Sequence, residues 1–165
     1  MQIKNMFSFG VDWNYKTVSM LVFLAIIPNF LGMINISTPL GFKVHFFQLA
    51  IIAAAMIYGP MGGLMSGLFG SIYSAMIMNN PYIIGGNVIL GIVTGILLRK
   101  QIHTVLAVLI AFAVQLPWLI LTDFYLVHLP VHVIKAIIIA LLIMNTVWAL
   151  VIHYSKRHIK RIIGC

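Results

Sequence analysis

Acid is almost missing from this chain. It holds two carboxylates, Asp12 and Asp123, and no glutamate, against ten lysines and arginines. The two aspartates fall at opposite edges of the expected membrane layer, so no carboxylate pair for acid–base chemistry can form. The HExxH, GxSxG and P-loop patterns are also absent. The chain is therefore expected to be no enzyme and to need no cofactor, and any ATP must be used by partner subunits. Ion pumping normally relies on acids at mid-depth, and an inverted repeat of the secondary-transporter kind is missing as well. Cysteine is reduced to Cys165, which excludes a disulfide framework and dithiol redox chemistry.

Charge of either sign is scarce: charged residues make up 7 % and hydrophobic ones 62 %. Mean hydropathy is +1.11. A soluble domain would need several times more charge to stay dispersed. The solvent is therefore expected to be a lipid bilayer. The apolar runs are continuous, not alternating, which disfavours a β-barrel. At about 20 residues per span, the length allows six helices. The expected fold is all-α and integral to the membrane: a single transmembrane domain over residues 1–165, forming a six-helix bundle.

Short polar punctuation divides the chain. Residues 1–16 mix Phe7, Phe9, Trp13 and Tyr15 with Lys4, Asp12 and Lys16, which suits an interfacial lead-in. Helices are expected over about 17–33 (a retained span, not a cleaved signal), 45–58, 61–78, 82–98, 103–121 and from beyond Pro130 to Tyr154. Gly59-Pro60 breaks the second from the third. In the third, Gly63, Gly67 and Ser71 recur every fourth residue and open one face to a neighbouring backbone, with Ala50 and Ala54 as the matching small surface. Asn87, Gly91 and Gly95 repeat the device in the fourth.

Orientation follows from the basic residues. With the N-terminus inside, the inner set is Lys4, Lys16, Arg99, Lys100, Lys156, Arg157, Lys160 and Arg161, and the outer set only Lys43 and Lys135. Eight against two predicts an N-in, C-in topology with a basic cytoplasmic tail over 155–165. This bias also accounts for the net charge of +8 without a nucleic-acid partner.

The remaining polar residues gather toward the expected outer side. Gln115, Trp118 and Thr122 fall at i, i+3 and i+7, on one helix face. Loops 1–2, 3–4 and 5–6 lie on that same side and could roof a pocket with polar groups in apolar walls. The candidate substrate-binding residues are Gln115, Trp118, Asn87, Asn80, Tyr82, Asp123, His45 and Lys135, with the Asn35–Lys43 loop as a lid. Trp118 and Tyr82 would stack on a flat ring while the amides and charges fix its polar edges. Lys135 and Asp123 could instead pair with each other at the rim. An alternative is a metal site from His45, His128, His132 and Asp123, although Pro130 interrupts the spacing of its two neighbouring histidines. A third reading is a non-transporting membrane subunit whose small-residue faces dock other helices.

The run from Phe47-Gln48 through Tyr58-Gly59-Pro60 to Gly62-Gly63, with Gly67 and Gly70, resembles the substrate-binding S components of energy-coupling factor transporters. So does the run from Gly86-Asn87 through Gly91 and Gly95 to Arg99-Lys100. The resemblance implies a multi-pass protein of the cell membrane that captures a vitamin-like small organic molecule. It also implies partners: a transmembrane coupling subunit and cytoplasmic ATPase subunits. Two departures stand out. The first helix carries Ser19, Phe23 and Ala25 in place of an Ala-xxx-Ala docking pair. Position 2 is Gln2, where related cobalt and nickel proteins place a histidine.

Overall fold

The computed structural model describes residues 14–37 and 43–163, with the backbone path alone for 35–37, 43–45, 157, 159, 160, 162 and 163. The interfacial lead-in expected over 1–16 lies almost wholly outside the described residues, as do 38–42 of the expected lid.

Helix α1 (Tyr15–Met33) starts where the Asn14 side chain accepts a hydrogen bond from the Thr17 amide at 2.9 Å, satisfying one of the unpaired first-turn donors. Strands β1 (Asn35–Ser37) and β2 (Lys43–His45) form an antiparallel ribbon pairing Ile36 with Val44. The expected loop is thus partly paired, and His45 lies on a strand, not at a helix start. Then come α2 (Phe47–Gly70), α3 (Ile72–Ile77), α4 (Tyr82–Arg99), α5 (Thr104–Leu121), a π-helical turn (Thr122–Leu126) and α6 (Val131–Ile163).

Among the described residues, five helical segments, where six were expected, are long and apolar enough to cross a membrane. The chain is a multi-pass membrane protein. The difference from the expected six arises at Phe47–Ile77, a single 31-residue segment where two helices were predicted. That segment does not run straight. Gly59 has φ 64° and ψ −145°, a conformation essentially reserved for glycine. A Cβ on Gly62 would overlap the carbonyl oxygen of Ala54, yet residues eight apart on a straight helix stand about 12 Å from each other. The chain therefore folds back at Gly59-Pro60. The limb over residues 47–58 is about 18 Å long, too short to cross a hydrocarbon layer of about 30 Å.

Pairwise contacts set the direction of each helix. Pro28 meets Gly70, and Gly32 meets Ser74, so α1 runs parallel to the limb after Gly59. Along that limb, a Cβ on Gly63 would strike the Gly91 carbonyl, one on Gly67 the Asn87 carbonyl at 2.6 Å, and one on Gly95 the Gly59 backbone. These pairings run antiparallel and bring the α2 and α4 backbones into direct contact. The stripe's partner is thus α4, and the Ala50/Ala54 face expected to match it is instead buried on the shorter limb. Helix α5 returns antiparallel to α4, and α6 antiparallel to α5. Two apolar clusters hold these layers: Ile52 with Val108, Ala149 and Ile152, and Leu90 with Ala111 and Phe112 against Ile138 and Leu141.

The starts of α1 and α5, the Gly59 bend, the end of α4 and the C-terminal part of α6 consequently share one end of the bundle. Arg99 donates to the Tyr58 carbonyl there at 3.4 Å. The expected basic tail is no separate segment, because α6 continues as helix to Ile163. The opposite end gathers the end of α1, the α3–α4 turn and the connection from α5 to α6.

Candidate functional site

The site is built at that opposite end, beginning with the α3–α4 turn. Asn79 has φ 49°. The Asn79 amide bonds the Met76 carbonyl and the Asn80 amide the Ala75 carbonyl, the pattern of a Schellman helix end. Asn80 is thereby fixed, and its Oδ1 accepts from the Tyr82 amide at 3.1 Å, starting α4. Its Nδ2 donates to Asp123 Oδ1 at 2.9 Å. One residue therefore ends one helix with its backbone amide, and with its side chain starts the next and reaches the carboxylate of a third element.

Asp123 is placed by the π-helical turn that follows α5, a distortion that commonly re-aims side chains at functional sites. Its own carbonyl accepts from the Leu129 amide at 2.9 Å. Among the described residues Asn80 is the carboxylate's hydrogen-bond partner, which leaves Oδ2 without one. No ion pair joins it to Lys135. The residue is 6 % exposed.

On α5, the Trp118 indole lies over Gly85, where a Cβ would come within 2.6 Å of the ring. Its Nε1 donates to the Tyr82 carbonyl at 3.0 Å. The indole is thus a positioned wall whose donor is already engaged. Thr122 turns inward and donates back to the Trp118 carbonyl at 2.9 Å. Gln115, one turn deeper and 4 % exposed, has an Oε1 with no partner. Asn87 donates to Ser71 Oγ at 2.8 Å and ties α4 to the α2–α3 junction.

These residues converge on one cavity of about 560 Å³, a size suited to a small organic molecule. Six of the residues expected from the sequence line it: Asn80, Tyr82, Asn87, Gln115, Trp118 and Asp123. Two do not join them. Lys135 is exposed on α6 and is absent from the lining, so the ligand role expected of it is corrected: the helix turns its side chain away from the cavity. The His45 side chain lies outside the described residues. His128 and His132 are exposed and do not line the cavity, and among the described residues no three His, Cys, Asp or Glu side chains converge as a metal site would require.

Sequence reasoning missed the apolar walls. Phe47 and Tyr73 come from the two ends of the folded-back segment, and α6 supplies Val133, Ala136, Ile137 and Ala140. The last four sit at helical spacing, but α6 is apolar on every side, so no stripe stands out. Gln48 and Asn145 are fully buried with unpartnered amides, and neither lines the cavity.

No family model matches the chain, and neither a curated protein nor a solved structure is significantly similar to it.

Proposed function

We propose that this chain is the substrate-capture subunit of an ATP-driven uptake transporter for a small organic micronutrient. In this reading it works in the cell membrane as an S component does in an energy-coupling factor transporter, its five long spans and the short limb arranged N-in and C-in, with the cavity facing outward. The observation that carries it is a largely apolar cavity with a few converging polar groups, at one end of a bundle most of whose described basic residues sit at the other. A closed apolar interior would serve packing alone. Amides, a carboxylate and aromatic rings converging in apolar walls serve to orient a ligand. The chain has no phosphate-binding loop, so energy has to come from ATPase partners through a coupling subunit. Docking cannot use Ala50 and Ala54, which are 5 % and 0 % exposed, and α1 offers no Ala-xxx-Ala pair; other contacts must serve.

The test is native mass spectrometry on protein purified gently from its own membranes. A stoichiometric small molecule is expected to remain bound, and Trp118→Ala to weaken its affinity at least tenfold, about 1.4 kcal/mol. Absence of any retained molecule, together with unchanged nutrient uptake in cells lacking the chain, would overturn the proposal.

A further inference from the structure

We infer that the cavity selects an organic cation, a flat ring carrying a protonated nitrogen; the inference rests on the capture reading and specifies its substrate class. Among the described residues, Asp123 is the one charged side chain lining the cavity, and no lysine, arginine or histidine joins it there. This is notable in a chain with ten lysines and arginines and two acids. A buried carboxylate with one neutral hydrogen-bond donor is under-compensated, and a bound cation supplies what the protein withholds. Gln115 stands in the same lining, but its unpartnered Oε1 is closed off from the open space. The carboxylate is the group that asks for a donor on the ligand.

The walls decide what kind of cation fits. Phe47, Tyr73, Tyr82 and Trp118 bring four aromatic residues to the lining, which suits a ring that can stack and a positive charge that can lie over a π-face. A hydrated inorganic cation would need several oxygen ligands or its own water shell, and apolar walls provide neither. Lys135, His128 and His132 are exposed at the same end, but solvent and salt screen exposed charges, while the buried carboxylate acts at short range.

The test uses three probes of one shape: benzamidinium, benzamide and benzoate. Their binding to the full chain in nanodiscs is measured by calorimetry. Benzamidinium is expected to bind at least tenfold more tightly than benzamide, with benzoate weakest. Asp123→Asn keeps an acceptor for the Asn80 amide, removes the charge and is expected to erase the preference; Lys135→Gln, outside the cavity, leaves it intact. The wild-type series decides the matter even where the variant fails to fold. Equal binding of benzamide or benzoate, failure of all three to bind, or displacement of benzamidinium by equimolar sodium overturns the cation assignment. The capture proposal stands or falls separately, on the retained molecule and on uptake.

Discussion

Asn29 shows how much structure a single amide can hold. Helices α2 and α3 are broken at Ser71, and the break frees backbone groups on either side. Asn29 Nδ2 donates to the Phe69 carbonyl at 2.8 Å, and its Oδ1 accepts from the Tyr73 amide at 2.9 Å. Replacing it by leucine leaves both groups unpaired away from bulk water, at about 1–3 kcal/mol for each buried group left without a partner. Asn29→Leu is expected to lower the midpoint of thermal unfolding in detergent clearly; an unchanged midpoint would show that the break closes without it. Asn29 stands in the middle of an apolar run, and that alone could have marked it, because an amide there needs a partner. The partner, however, lies about forty positions away and is a backbone break that no side-chain pattern announces. Asn80, Tyr82, Gln115 and Trp118 were legible for the opposite reason. Each is a polar or amphipathic side chain at a helix end or on a shared face, and helical spacing alone brings the last two together. Lys135 was misjudged because charge near the right end says nothing about which way a helix turns it.

At the scale of elements, the α2–α4 contact is the tightest in the bundle, backbone against backbone through Gly63, Gly67 and Gly91. No side-chain movement can relieve a branch inserted there. Gly91→Val is expected to destabilise the protein by about 1–3 kcal/mol or more and to part the two helices. Loss of a cross-link between cysteines placed on them would report the parting; wild-type stability would show that the backbones are farther apart than described. The small-residue stripes were plain in the sequence, because fourfold spacing on a helix has one meaning. Which helix faced which was not, since Ala50/Ala54 and Asn87/Gly91/Gly95 are both small enough to serve. Gly59-Pro60 was legible as a break. That the break is a full reversal, giving a limb of half-membrane length, depends on one glycine dihedral that composition does not encode.

Across the whole molecule, the directions of the helices place Asn79 and His128 at one end and Gln101 at the other, all three exposed. In a background of Cys165→Ser, cysteines at positions 79 and 128 are expected to react with a membrane-impermeant reagent from the same side, and a cysteine at 101 only from the opposite side. Labelling of 79 and 128 from different sides would dismantle the arrangement. That the chain is built from helices long and apolar enough to span a membrane was readable from the scarcity of charge; the sidedness expected from the lysines and arginines is what the labelling tests. The short limb after Phe47 has one more consequence. Its first residue touches the cavity and its last reaches the basic end, so on the capture reading proposed above a cargo held against Phe47 would already lie close to half-way through the barrier. A twelve-residue limb would then stand on the rest of the path, and a coupling partner would have that stub, not a whole membrane, to shift aside.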